Sequence, residues 1–503
     1  MVKKTVLVVL ISWWVCVASL SMGEPIPGEF VPGKLVSEEI VPQKVIGSDN
    51  LLSSSGITTT SPLSPVVTVD ESPSSSAIKL QSGWPVITGG GIHCAISLAD
   101  IDGDGKLEVV TAAFDQKIYV LNEDGSSVPG WPVQVPQAWL LRSSPAIGDI
   151  NNDGKLEIII GTLKSQVYAF AQDGKSLPGW PVTVSGGIFS PPSLGDIDKD
   201  GKLEIIIGSI GEGDAIYVYA FNEDGKGVPG WPAKINGSTW SGACIGDINR
   251  DGKLEIGVTS CSGSTYLFDA KGKLLPGWPV QTGFFNISSP VFGNVDGDKN
   301  LEMIVGSNDK KVYVLKVNGD LAPGWPVEAG GPIRCSPALG DIDGDGKLEI
   351  IIASDDKKVY VFKGDGTLFK GWPVSTGGAI EASPILGDID KDGKIEIIVC
   401  STDKKVYAFN EDGTIVPGFP LPAGDAIIST PALGNIDDDD SLELIVGAFN
   451  SKIYCWDLGE GTYVSGVTSK PKGLGMGKKK GKSTLLPWPM FAHDTHHTGT
   501  YPK

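Results

Sequence analysis

Gly340-Asp341-Ile342-Asp343-Gly344-Asp345-Gly346-Lys347-Leu348-Glu349 is the stretch whose reading decides this chain. Asp341, Asp343 and Asp345 alternate with Ile342 and Gly344, Gly346 permits a tight reversal, and Glu349 closes the set at the ninth position. Such a loop offers side-chain oxygens at its first, third and fifth positions, the backbone carbonyl of Lys347 at its seventh, and a closing carboxylate. An oxygen cage of this kind suits a hard divalent cation. Calcium fits better than magnesium, which demands near-octahedral geometry and keeps several waters. In a helix-loop-helix calcium site the closing carboxylate comes at the twelfth position. Here it comes at the ninth and leads into Ile350-Ile351-Ile352, so the expected flanks are strands.

The pattern occurs eight times, and each copy supplies a candidate ligand set. The other sets are Asp100, Asp102, Asp104, Lys106 and Glu108; Asp149, Asn151, Asp153, Lys155 and Glu157; Asp196, Asp198, Asp200, Lys202 and Glu204; and Asp247, Asn249, Asp251, Lys253 and Glu255. They continue with Asn294, Asp296, Asp298, Asn300 and Glu302; Asp388, Asp390, Asp392, Lys394 and Glu396; and Asn435, Asp437, Asp439, Ser441 and Glu443. Successive starts lie 49, 47, 51, 47, 47, 47 and 47 residues apart. One such loop would read equally well as an acidic hairpin turn, but eight at a near-fixed period read as calcium sites. Two copies depart from the pattern. Lys299 and Asp440 stand where the others have glycine, and Asn294 and Asn435 replace the first aspartate, so weaker binding is expected there.

A second repeated feature frames the first. Gly-Trp-Pro begins at Gly83-Trp84-Pro85 and returns at Trp131, Trp180, Trp231, Trp278, Trp325 and Trp372, then as Gly418-Phe419-Pro420, and once more as Pro487-Trp488-Pro489. Each unit reads as four short strands: Ser336 to Gly340, Leu348 to Ile352, Lys358 to Phe362, and an outer one around Trp372-Pro373-Val374. The third alternates sides through Val359, Tyr360, Val361 and Phe362. Asp355-Asp356-Lys357 and Gly364-Asp365-Gly366 supply turn chemistry between the strands. Four-stranded units repeated radially make a β-propeller, and eight loops imply an all-β, eight-bladed ring of antiparallel blades. Either the Trp84 or the Trp488 segment can close it. The tryptophans read as packing between blades.

The flanks differ from this body. Met1-Val2-Lys3-Lys4, an apolar run from Thr5 to Leu20 and small residues up to Gly23 describe a secretory signal peptide over residues 1–23, with a retained membrane anchor as the alternative. Residues 24–80 are rich in proline, serine and threonine without period, so a disordered linker is expected. The propeller then spans 81–503, with a Gly/Lys-rich insertion at 459–485 and a closing segment at 486–503 that holds His493, His496 and His497. Secretion places the loops where calcium is commonly abundant.

Charge supports the metal reading. The chain carries a formal −19. First, third, fifth and ninth loop positions hold 28 carboxylates, and eight calcium ions would leave only −3. No basic stripe exists outside the lysine-rich insertion, which argues against nucleic acid as a partner. Apart from Cys16, the six cysteines are scattered over different positions of different blades and read as mostly free thiols, with Cys244 and Cys261, which share a blade, as the one candidate pair.

Leu339 to Ser354, with its Leu-Gly-Asp-Ile-Asp-Gly-Asp-Gly-Lys-Leu-Glu-Ile-Ile-Ile core, resembles the FG-GAP repeats of integrin α-subunit propellers and the VCBS repeats of exported bacterial proteins. The resemblance covers about Trp84 to the C-terminus. It implies calcium in the loop between first and second strands, ligand binding on the opposite face or rim, and roles in adhesion or surface display. Integrin propellers have seven blades and carry the loop in only some, so their partners do not transfer.

Comparing the units with one another points to a ligand rim. Eight residues before each loop the side chain is mostly aliphatic: Ile92, Leu141, Ile188, Ile333, Ile380 and Ile427, with Thr239 and Asn286 as exceptions. One residue later stand His93, Arg142, Phe189, Trp240, Ile287, Arg334, Glu381 and Ile428. On a strand these two columns face opposite sides, so the uniform one should pack and the diverse one should face a ligand, with Trp139 and Phe285 beside it. Three functions stand open. The first is a non-enzymatic secreted or cell-surface module for a protein or glycan, touching membrane only if the N-terminal segment stays uncleaved. The second is an extracellular enzyme of polysaccharide-lyase or quinoprotein-like type. The third is a structural envelope component.

Overall fold

The computed structural model describes residues 78–136, 141–211, 216–437, 439 and 441–459. Those residues build eight antiparallel sheets. The blade of the loop quoted first has strands Ala338–Gly340, Glu349–Ala353, Lys358–Phe362 and Val374–Ser375, in that spatial order. The first strand is two residues shorter than expected at its start, the second begins at Glu349 itself, and the fourth lies beyond Pro373. Seven blades repeat this meander, and in the last blade the fourth strand comes from elsewhere in the chain.

Innermost strands of neighbouring blades touch in turn, and Ala432–Gly434 of the eighth blade touches Ser97–Ala99 of the first, which closes the ring. The end that closes it is the N-terminal one. Lys79–Leu80 pairs with Asp457 and Trp456, and Val86–Ile87 pairs with Ile453 and Lys452. Lys79 and Leu80, read with the linker, are therefore part of the sheet. The insertion beyond Gly459, the Trp488 segment and the histidine-bearing tail lie outside the described residues, as do the linker up to Ala77 and the leader.

Long second and third strands are buried along nearly their whole length, both faces included, as in Glu349–Ala353 and Val359–Phe362. The alternation read in the third strand is thus not an inside-outside pattern: each blade is sandwiched between two others, so both faces lose water. Burial at about 25 cal/mol per Å² of apolar surface favours uninterrupted Ile/Val runs at such positions. Trp131 is typical of the framing tryptophans. It is buried, and its Nε1–H donates to the carbonyl of Gln172 in the next blade at 2.9 Å. The same bond recurs from Trp180 to Glu223, from Trp325 to Gly364 and from Trp84 to Glu123, where it links the eighth blade to the first. The Phe419 side chain has no N–H to donate, and the ring is buried in the same place. All six cysteines of the ring are free thiols, Cys244 and Cys261 included. Among the described residues no helix is long and apolar enough to cross a membrane.

Candidate functional site

Every acidic loop joins the first and second strands of its blade. In the loop after Gly340, Gly344 and Gly346 adopt φ of 73° and 85°, a left-handed backbone that glycine takes without penalty. Backbone N–H groups then secure one oxygen of each aspartate: Gly346 donates to Asp341 Oδ2 at 2.9 Å, Asp345 to Asp343 Oδ1 at 3.1 Å, and Lys347 to Asp345 Oδ1 at 2.9 Å. The closing glutamate is tied likewise, with Ile342 donating to Glu349 Oε2 at 3.1 Å. All eight blades share this last bond, to Glu108, Glu157, Glu204, Glu255, Glu302, Glu349, Glu396 and Glu443.

The carboxylates of these loops converge. In the groups Asp100/Asp102/Glu108, Asp196/Asp198/Glu204, Asp296/Asp298/Glu302, Asp341/Asp343/Glu349 and Asp388/Asp390/Glu396, one oxygen from each residue lies within 4.8 Å of the others. Asp196 Oδ1, Asp341 Oδ1, Asp388 Oδ1 and Glu396 Oε1 are buried without a hydrogen-bond partner. Buried carboxylate oxygens left without a partner, in residues whose carboxylates come together, fit a hard cation, since an isolated buried charge is otherwise costly. Asn151 and Asn249, at the third position of their loops, turn their amides onto Glu157 Oε1 and Glu255 Oε1.

Burial drives the closing glutamates upward from the usual carboxylate range. Glu108, Glu157, Glu204, Glu255, Glu302 and Glu349 are pushed up to about 7, and Glu396 and Glu443 to about 8. Neighbouring aspartates add to the rise, while backbone N–H groups oppose it, one at Glu349 and two at Glu108, Glu204 and Glu302. Lys106, Lys202 and Lys394 at the seventh position point their ammonium groups out of the loop onto Glu123, Glu223 and Glu411. Their carbonyls are the groups available to a metal.

The two divergent loops behave differently from the rest. Asn294 donates its amide to the Asp298 carbonyl at 2.6 Å, and Asn435 does the same to Asp439. Neither amide nitrogen can serve as a ligand. In the eighth blade Ser441 Oγ donates to Asp457 Oδ1 at 2.9 Å, Lys79 reaches Asp457 at 3.1 Å and the Gln81 amide donates to Asp437. The ring-closing segment therefore ends on that blade's acidic loop.

Antiparallel pairing places the loops at one end of each blade and the tips between second and third strands at the other. The residues of the expected rim lie at that opposite end. The uniform column is buried throughout, Thr239 and Asn286 included. The diverse column is only partly covered at His93, Arg142, Phe189, Trp240 and Glu381, and exposed at Arg334. Trp139 lies outside the described residues.

The rim is divided in two. Along one arc, His93 stacks on Phe114, the Arg142 guanidinium lies 5.9 Å from the Phe114 centroid and 5.6 Å from that of Phe189, and Phe189 meets Trp240 at 4.6 Å. Trp240 then meets Phe285 at 5.8 Å, and Phe285 meets Phe284. Phe285 is held at φ 55°, a conformation that bulky side chains rarely adopt and that costs of order 1–3 kcal/mol. Across the ring Arg334 Nε bonds Asp355 Oδ2 at 2.9 Å, with Glu381 3.9 Å from the same guanidinium. Burial raises Asp355 to about 6 against the pull of Arg334, and Glu381 adds to the rise. His93 is pushed down to about 3 by burial and then by Arg142, so it is neutral.

Phe114, Phe449 and Phe284 also belong to this rim, as does Asp355, whose sequence reading is a turn residue only. The strand tips carry a second varied column: Phe114, Leu163, Ile210, Cys261, Asn308, Asp355, Thr402 and Phe449. Aligning the units on their tips as well as on their loops exposes it.

The fold and its loops define an eight-bladed β-propeller with an acidic Asp-x-Asp…Glu group in its blades. Within that class the chain carries FG-GAP-like repeats, matched at residues 100–160, 196–258, 294–352 and 341–399. Comparison with curated proteins gave no match. Among solved structures it is similar to Saccharomyces cerevisiae Sqt1, with a TM-score of 0.56 and 12% identity over 75% of this chain and 99% of that one. It is also similar to the quinohemoprotein alcohol dehydrogenase ADHIIG of Pseudomonas putida HK5, with a TM-score of 0.54 and 14% identity over 78% of each chain. The computationally designed Ika8 protein gives 0.51 and 12% over 75% of this chain and 99% of its own. At such identities the likeness is one of fold.

Proposed function

We propose that this protein is an exported, calcium-rigidified β-propeller that acts without catalysis, as a recognition and scaffold module for a glycan or protein outside the cell. Calcium in an acidic loop would hold the first and second strands of that blade together by neutralising carboxylates that otherwise repel. The observation that carries the reading is the asymmetry of the opposite rim. Eight similar blades present one arc of aromatic rings interleaved with Arg142, and one ionic cluster of Arg334, Asp355 and Glu381. Repetition alone would make the rim uniform. Aromatic faces and arginine are the residue types that concentrate binding energy at recognition surfaces. Export rests on the charged, then apolar, then small-residue order of residues 1–23.

The test is binding of the purified ring to glycan and exported-protein arrays in calcium, beside the variant Trp240→Ala with Arg334→Ala. Loss of a bound ligand with an unchanged melting temperature supports the reading. Binding that survives both changes, or no binding on any array, sinks it. The enzymatic alternative rests on Asp355, a half-buried acid raised to about 6 beside Glu381. Cleavage in a polysaccharide screen that Asp355→Asn abolishes would favour it instead.

A further inference from the structure

The fifth blade departs from the other loops in several places at once. Asn294 replaces the first aspartate, Lys299 replaces the sixth-position glycine, and Asn300 stands where most loops have lysine. Among the described residues the left-handed sixth position occurs in the loops that keep glycine there, as at Gly105 and Gly346, and not at Lys299. The same blade has gained a cation. Lys316, the first residue after the third strand, lies 2.7 Å from Asp296 Oδ2 and 3.5 Å from Asp298 Oδ2.

We propose that the Lys316 ammonium is the resident cation of the fifth loop, and that this loop excludes calcium. The three carboxylates still converge, with oxygens within 4.8 Å of one another, but they converge beside a fixed positive charge. A lysine at this place in the chain does not enter the loop by default. Lys363, its counterpart in the sixth blade, turns away and sits 5.1 Å from the Phe369 ring, beside a loop that keeps its full acidic set. In the first, third and seventh blades the counterpart is asparagine, and the lysine of the loop itself points outward to a glutamate. The fifth blade has Val317 in place of that glutamate. One ammonium carries half the charge of calcium and needs fewer ligand oxygens, which matches a loop that has surrendered its first aspartate.

The calcium part of this inference rests on the reading of the other loops as calcium sites; the counter-cation part does not. Calorimetric calcium titration is run on the full chain and three variants. Asp296→Asn with Asp298→Asn should bind as many ions as the native chain. Asn294→Asp with Lys299→Gly, which restores the loop but keeps Lys316, should also bind the same number. Adding Lys316→Asn to that pair should raise the count by one. An ion lost in the first variant, or gained in the second, overturns the exclusion of calcium.

Melting in chelator supplies the metal-free arm. Lys316→Asn alone should lower the melting temperature by a few degrees at low salt and by less at high salt, while Lys363→Asn leaves it unchanged. An unchanged melt for Lys316→Asn overturns the counter-cation role whether or not any loop binds calcium. If no variant and no native chain binds calcium while the Lys316 effect persists, the reading of the other loops fails and the lysine assignment stands.

Discussion

Replacing Glu349 by Gln should change the sign of its effect with the metal. Glu349 is almost fully buried, and burial together with Asp343, Asp345 and Asp341 raises it to about 7 from an ordinary 4.5, against the Ile342 N–H. Without metal at pH 8 the ionised side chain is therefore an unfavourable charge. A rise of about 2.5 units corresponds to roughly 3 kcal/mol at most, at about 1.4 kcal/mol per unit. Relaxation of the loop reduces this, so Glu349→Gln, which removes the charge and keeps an acceptor for Ile342, should stabilise the chelated ring by about 1–3 kcal/mol. At about 2 cal/mol/K per residue of unfolding entropy, that is about 1–4 °C for a ring of roughly 380 residues. In saturating calcium the same change deletes a charged ligand and should lower the melting temperature. At pH 5 in chelator native Glu349 is already mostly protonated, and the difference should shrink to about a quarter of its pH 8 value. The assay is paired melting in chelator and in calcium at both pH values. Equal destabilisation in chelator and in calcium at pH 8 would refute the electrostatic reasoning.

Further expectations follow from the same geometry. Because the folded state raises these glutamates, it binds more protons than the unfolded state between about pH 4.5 and 8. Stability of the chelated ring should therefore fall as pH rises through that window. Calcium affinity should rise over the same range with release of protons, measurable by calorimetry in buffers of different ionisation enthalpy. Trp180→Ala removes a buried ring and its bond to the Glu223 carbonyl, and should cost about 3–5 kcal/mol in denaturant unfolding. Tyr360→Phe breaks the chain in which Gly330 N–H donates to Tyr360 and Tyr360 donates to Asp356, and should cost about 1–2 kcal/mol. Deleting the chain through Ile87 strips the outer strands from the eighth blade, and limited proteolysis should then attack Lys452–Asp457 first, ahead of the same strand in other blades.

Most of the architecture was legible because it is local and repeated. Asp341 to Glu349 holds its ligands within nine residues, so the backbone that spaces them is set by Gly344 and Gly346 rather than by distant contacts. The same holds for the turn residues of Gly364-Asp365-Gly366, and counting loops counted blades. Strand ends were less legible. Pro373 read as part of an outer strand but precedes it, since only Val374 and Ser375 pair with the third strand. The rim was half legible. Variation in the column from His93 to Ile428 marked the right end of the blades, yet its partners Phe114 and Asp355 sit on strand tips about 21 residues further along.

The sequence by itself determined the all-β repeat, the eight acidic loops and the framing tryptophans, because each is a short pattern whose physical meaning lies in neighbouring residues. Only the tertiary structure decided which end closes the ring, what the strand tips add to the rim, and where Lys316 places its charge. Gln81 meets Asp437 across 356 residues, and Lys316 reaches Asp296 across a strand pair while Lys363 in the same position turns aside. Such contacts depend on how blades stack and on which neighbours leave room. No spacing along the chain encodes that, because closing a ring joins residues that are far apart in sequence.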